Sequence, residues 1–253
     1  MAEKRQATNG MQRLGLIGGT SWHSTVIYYS EINQAVNDHF GNNTNPPLVL
    51  FNVNQAAVHQ CQREGDWDGV AQIFIEAAQC LQQAGVEAIS FCANTPHKVY
   101  QQVSASVNVP LIHIADATAM EIQKQGLQRA CFIGTQYSMQ DDFVTGRIAA
   151  HGIEVSTPVD QAVIEELHRI IQQELTFHKI VPASKQFVLK QLQTMIDAGA
   201  QGATLGCTEF PLMIGSDDLS VPVLDTTQIH AAAAADFVLG RLSKSHFAAR
   251  PDL

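Results

Sequence analysis

Three short stretches of this chain occur twice, in the same order and at nearly one spacing. LIGGTSW (16–22) returns as FIGTQYS (132–138), setting Thr20 over Thr135. FCANTPH (91–97) returns as LGCTEFP (205–211), setting Ala93 over Cys207. VPLIHIADAT (109–118) returns as VPVLDTTQIH (221–230), setting Val109 over Val221. Repetition of a Gly-Thr or a Val-Pro pair is commonplace, but three landmarks repeating in order at a period of about 115 residues point to two similar halves built from the same loops.

Between the landmarks, short β-branched runs alternate with longer amphipathic segments. Residues 12–19 read as a strand, 24–40 as a helix, 47–53 as a strand and 66–85 as a helix. In the last of these Trp67, Val70, Phe74, Ala77, Ala78 and Leu81 recur at helical spacing, and Gly85 stands where a C-terminal cap belongs. VEAISFC and VPLIHI continue the series as strands. Strict strand–helix succession predicts an α/β fold with parallel sheets covered by helices on both faces. Ligands of such sheets gather beyond the carboxyl ends of the strands, where GGTS, ANT, GT and GCTE all fall.

Composition narrows the partners. The 253 residues are 45% apolar with a mean hydropathy of −0.02, enough for one large core or two of about 120 residues. No run approaches the ~18 apolar residues of a membrane span, and MAEKRQATNGMQ lacks the apolar segment of a secretory signal, so the expected compartment is the cytoplasm. Cys61, Cys80, Cys92, Cys131 and Cys207 show neither CxxC pairing nor zinc-like spacing, so reduced thiols and no metal are expected. A net charge of −9 disfavours nucleic acid and anionic membrane, both of which are held through Lys/Arg clusters. A small anion remains possible, because a pocket's own donors can offset the global charge.

Gly18-Gly19-Thr20-Ser21 offers backbone N–H groups and hydroxyls to a carboxylate or phosphate, yet has neither the P-loop lysine nor the spacing of a dinucleotide fingerprint. Helix capping by Thr20 or Ser21 is the plainer reading, and it is compatible with binding. Cys207 follows the strand-like GATL, at a strand end where a following helix N-terminus favours the thiolate. A lone cysteine is more often a small buried hydrophobe; here the strand-end place and the echo with ANT favour function.

Taken together, IGGTSWHST, ANTPH, IGT and LGCTEFPL resemble the aspartate/glutamate racemase family, within it the broad-specificity or aspartate/glutamate-type amino-acid racemases, from about Leu14 to about Val238. The resemblance implies two α/β domains related by pseudo-twofold symmetry with the active site in a cleft between them: residues 12–116 joined by a C-terminal helix over 225–245, and residues 117–224. It implies proton transfer at Cα without pyridoxal phosphate or any other cofactor, two thiols serving opposite faces of an amino acid. Inverting a stereocentre requires a base on one face and an acid on the other. By resemblance Thr20, Ser21, Ala93, Asn94, Thr95, Thr135 and Thr208 contact the substrate, with hydroxyl and amide donors holding the α-carboxylate as charge develops on it. A homodimer is the family expectation.

The sequence departs from the pattern at one place. Cys207 occupies the second-half thiol position, but Ala93 stands where the first-half thiol is expected. The family's first motif also occurs with one residue between Cys and Asn, which admits Cys92 as a tentative second thiol. Successive strand residues point to opposite faces, which argues against a simple exchange. Three readings stay open: Cys92 packs in the core while another group or water carries the second proton; Cys92 is the working thiol; or two-sided transfer is lost. The last leaves a one-thiol isomerase or decarboxylase of a small dicarboxylic acid, or an amino-acid-binding protein without turnover.

Other polar residues carry weaker signals. His97 either orients the first site or lies on a helix surface; Glu209 either tunes Cys207 or favours a helix dipole. Residues 59–67 are expected as a loop and helix start, where Arg63 could meet a substrate carboxylate but is more simply solvated. Where family members acting on acidic substrates supply a basic residue, this chain has Phe177, His178 and Lys179. Residues 229–247 read as an Ala-rich helix, and the first eleven residues and the last few are expected to be flexible.

Overall fold

The strand at Leu14–Gly18 (β1) is buried at all five positions, as a central strand covered on both faces must be. In the computed structural model, which describes residues 10–243, it opens a regular α/β succession. Helix α1 (Trp22–Phe40) leads to β2 (Leu48–Asn52), then α2 (Gln55–Glu64), α3 (Trp67–Gln83) and β3 (Ala88–Phe91). A 3-10 turn (Thr95–Val99) and α4 (Tyr100–Ala105) precede β4 (Leu111–Ile112) and α5 (Ile114–Lys124). The pattern then repeats through β5 (Arg129–Gly134), α6 (Gln136–Gln140), α7 (Asp142–Ala149), β6 (Glu154–Ser156), α8 (Gln161–Gln173), α9 (Pro182–Asp197), β7 (Ala203–Gly206), β8 (Val223–Asp225) and α10 (Thr226–Val238).

The strands form two four-stranded parallel sheets, ordered β2-β1-β3-β4 and β6-β5-β7-β8. Because strand numbers rise by four from one order to the other, the repeat seen in the sequence is a repeat of topology. The chain falls into two compact units, one running to His113 and resuming at His230, the other Ile114–Ile229. Each has its own apolar core. In the first, Val70, Phe74, Ala77, Ala78 and Leu81 of α3 pack on the sheet, with Phe74 and Phe91 edge to face at 5.0 Å, a contact worth about 0.5–1.5 kcal/mol beyond area burial. In the second, Leu167, Ile170 and Ile171 of α8 and Val188 and Leu192 of α9 join Phe132 and Leu205 of the sheet.

The structure corrects two expectations. Of residues 59–67, expected as a loop and helix start, 59–64 belong to a helix that begins at Gln55: the Asn54 side chain accepts from Ala56 N–H, and Gly65 ends the helix at φ +72. Val58 is the buried residue of that helix, so its caps, rather than an apolar face, identify it. At the other end α10 stops at Val238, short of the expected 245; Gly240 takes φ +70 and its N–H bonds the Phe237 carbonyl, closing the helix. Residues 244–245 of that expected helix, and the flexibility expected of residues 1–9 and of the last few, lie outside the described residues.

Candidate active site

In the first unit the turn after β1 is held by backbone needs. Gly19 sits at φ +93, where a Cβ would also collide with the Val53 carbonyl, so only glycine fits. Its N–H donates to Thr25 Oγ1 at 2.9 Å. Thr20 and Ser21 follow, both buried. Ser21 stands at the N-cap of α1, and its carbonyl accepts from the hydroxyls of Ser24 (2.8 Å) and Thr25 (3.0 Å).

The adjacent strand β3 is followed by Cys92, Ala93 and Asn94. Ser24 Oγ also donates to the Cys92 carbonyl at 2.7 Å, tying α1 to this strand end. Cys92 is 2% exposed, and burial pushes its thiol far above the ordinary range, so it rests protonated. His97 is buried beneath the turn. Its Nδ1 lies 3.0 Å from the Ala93 carbonyl and 3.1 Å from the Asn94 carbonyl; carbonyls only accept, so Nδ1 carries the proton and donates to both.

The second unit repeats these parts. After β5, Thr135 caps α6, its hydroxyl accepting from Ser138 N–H at 3.3 Å. The N–H of Gln136 donates to His168 Nδ1 at 3.4 Å, which requires that nitrogen unprotonated; burial lowers the His168 pKa and keeps the ring neutral. After β7 come Cys207, Thr208 and Glu209. Cys207 Sγ donates to Glu209 Oε2 at 3.0 Å, and Thr208 Oγ1 donates to the same oxygen at 2.7 Å. Burial first, and then the Glu209 carboxylate, raise the Cys207 pKa.

Sheet register shows which residues correspond. Ile17 pairs with Phe91 in the first unit and Ile133 with Leu205 in the second. One residue further stand Cys92 and Gly206; two further stand Ala93 and Cys207. Cys92 is therefore the counterpart of a glycine. A Cβ on Gly206 would run into the ring of Phe132, whose counterpart in β1 is the shorter Leu16, so the same register place admits Cys92 as a packing residue. Ala93 is 8% exposed and Cys207 6%, which gives the two counterparts matching degrees of burial.

The model of the Asp/Glu/hydantoin racemase family matches residues 17–234. The chain belongs to this family. Among its relatives, a Yersinia pestis protein provisionally described as an Asp/Glu racemase is 43% identical, with a TM-score of 0.85, covering 90% of this chain and 100% of its own. An aspartate racemase homologue from Pyrococcus horikoshii OT3 is 36% identical, with a TM-score of 0.78 and the same coverage of 90% and 100%. The broad-specificity amino-acid racemase RacX of Bacillus subtilis (strain 168) is 21% identical over 221 residues, 85% of this chain and 92% of the relative.

Set in this racemase fold, the residues singled out in the sequence divide by unit. Thr20, Ser21, Cys92, Ala93, Asn94 and Thr95 stand at the carboxyl ends of neighbouring strands β1 and β3, and Thr135, Cys207 and Thr208 at those of β5 and β7. Arg63 is an exposed residue of α2, and Phe177 is 64% exposed. Sequence reasoning missed a buried polar network beside the first turn. His230 Nε2 donates to the Ile112 carbonyl at 3.0 Å and lies 3.2 Å from Ser90 Oγ, while its Nδ1 is 2.7 Å from Tyr28 Oη. A lone histidine in an Ala-rich helix gives no sign of such a role; the partners come from three distant segments. No group of three His, Cys, Asp or Glu suited to a metal occurs among the described residues, and none of the described helices is long and apolar enough to cross a membrane.

Proposed function

We propose that Cys207 is the acid/base group of this amino-acid racemase, which belongs to a family that works without pyridoxal phosphate. The observation that carries this reading is the hydrogen bond from the Cys207 thiol to Glu209 within the family's strand-end motif. The resting thiol is protonated, and Glu209 is the acceptor already in place. Passing its proton to Glu209 makes Cys207 a thiolate, which takes the proton from the substrate Cα. The electron pair left at Cα spreads into the α-carboxylate, where hydroxyl and amide donors at the strand ends, Thr20, Ser21, Asn94, Thr95, Thr135 and Thr208, hold the developing charge.

Ala93 has no proton to return. Water supplies it from the opposite face of Cα, and the hydroxide so formed recovers the proton parked on Glu209, leaving thiol and carboxylate as they began. Cys92 packs in the sheet and takes no part. The test is Cα exchange in D₂O over a panel of L- and D-amino acids, following deuterium uptake and handedness together. Exchange with inversion supports the reading. Exchange with retention favours the second reading that Ala93 invites, a one-thiol isomerase or decarboxylase of a small dicarboxylic acid; ligand binding without exchange points to a binding protein.

The protein is read as a cytoplasmic homodimer. Five free cysteines suit a reducing compartment. Val26 and Tyr29 on α1 and Leu50 on the edge strand β2 are exposed apolar residues, beside a hollow of about 500 Å³ lined also by Ser30, Asn33, Gln34, Asn37, Asn43 and Asn45. The lining residues carry no formal charge, with Asp38, which accepts from Gln34 at 2.7 Å, at their edge, so copies that each carry a charge of −9 meet less like-charge repulsion here.

A further inference from the structure

We infer that His97 is a positioning residue: its Nδ1–H group fixes the Ala93–Asn94 turn, and so sets where Asn94 and Thr95 present their donors to the substrate. The inference rests on the functional reading above for its consequence in turnover, but its geometry stands apart from it. The carbonyls of Ala93 and Asn94 stand where the chain leaves the strand and enters the 3-10 turn, and one imidazole N–H bridges both, at 3.0 and 3.1 Å. The Asn94 carbonyl also accepts from the His97 backbone N–H at 3.0 Å, so side chain and main chain of one residue grip the same turn.

The ring itself is held from other sides. It lies against Phe91 at 5.1 Å, His113 at 4.4 Å and His230 at 5.7 Å between ring centroids, and His113 in turn meets Tyr100 at 4.6 Å. His97 and His113 are each 2% exposed and Tyr100 3%. In the second unit the register place of Ala93 carries the thiol, and the corresponding turn is gripped through Glu209, which accepts from Cys207 and Thr208. The two units thus use different devices at the same turn: a carboxylate drawing on side-chain donors in one, an imidazole donating to carbonyls in the other. With Ala93 contributing no chemistry, the contribution of the first turn is its shape, and His97 is what fixes that shape.

Two substitutions in the full chain separate a hydrogen-bonding role from a packing role. His97→Asn places an amide N–H close to where Nδ1 stands, while His97→Gln fills more of the ring's volume but carries its N–H out to the Nε2 place. The first readout is amide hydrogen exchange of the peptide spanning residues 92–99, which needs no substrate. The second is kcat/KM on the amino acid that wild type turns over fastest in the panel of L- and D-amino acids. The expected result is exchange at residues 94–97 faster by about tenfold in His97→Gln and close to wild type in His97→Asn, with kcat/KM lowered about tenfold in the first and within about threefold in the second. Unchanged exchange in His97→Gln, or a His97→Asn variant as damaged as His97→Gln, overturns the inference. If wild type turns over nothing while the exchange pattern appears as expected, the turn is still held by His97 and it is the racemase reading that fails.

Discussion

At the scale of single residues, the proposed chemistry rests on one thiol and the carboxylate beside it. Burial opposes the Cys207 thiolate, and the negative Glu209 close by opposes it further, so in the free protein the thiol ionises only as pH climbs. Alkylation of Cys207 by iodoacetamide is therefore expected to rise through the alkaline range, with no plateau at neutral pH. Glu209→Gln removes the opposing charge, and the midpoint of that rise moves to lower pH; an unmoved midpoint means the carboxylate does not govern the thiol. The same variant loses the proton acceptor, so its turnover falls even as its thiol becomes easier to ionise. Ala93→Cys places a thiol at the register counterpart of Cys207, and restoring an acid on that side is expected to raise the rate of inversion by up to about 10²-fold, measured as change of handedness under saturating substrate. The identity of these residues was legible in the sequence, since Cys207 and Ala93 align by the internal echo. The same echo sets Cys92 over Gly206; why that place admits a side chain in the first unit was not legible, since it depends on strand register and on Leu16 standing where the second unit has Phe132.

At the scale of elements, the strands and long helices were legible because each carries its own periodic signal: β1 is apolar throughout, and α3 repeats its buried residues at helical spacing between the Asp66 cap and Gly85. Helix α2 was not, since its sequence is polar and its signal is only in Asn54 and Gly65. The end of α10 was not, because alanine-rich periodicity runs on past a glycine that closes the helix. Packing between elements adds a constraint no periodicity shows. At Gly206, the residue leading into Cys207, a methyl group would meet the ring of fully buried Phe132. Gly206→Ala is expected to destabilise the protein by about 1–3 kcal/mol and to shift the Cys207 turn, lowering turnover more than stability alone explains. Urea unfolding and kcat measured on the same preparation check this. Asp116 and Arg147 couple α5 to α7 through two 2.8 Å bonds with both side chains largely buried, and His151 adds a third contact at 3.0 Å. Asp116→Ala leaves the guanidinium buried without its carboxylate, and the expected loss in urea unfolding is about 3–5 kcal/mol.

At the scale of the whole molecule, a repeated α/β unit provides two versions of the same strand-end turn, and this chain carries a thiol at the matching place, Cys207 against Ala93, in only one. The repeat was visible as echoes in the sequence and is confirmed as topology, with both sheets in the same strand order. What the sequence could not supply was the surface, because the exposure of Val26 and Tyr29 is decided only by how the helix docks. If the face of α1 that carries Val26 and Tyr29 joins two copies, light scattering gives a dimer mass for wild type, and Val26→Glu combined with Tyr29→Lys gives a monomer mass; a wild-type monomer at all accessible concentrations contradicts the dimer. The central claim concerns the thiol, and its most direct test is Cα deuterium exchange by Cys207→Ser in D₂O on the amino acid that wild type exchanges fastest. The account predicts a fall of about 10²–10⁴-fold with the fold intact by circular dichroism, whereas exchange at the wild-type rate would contradict it.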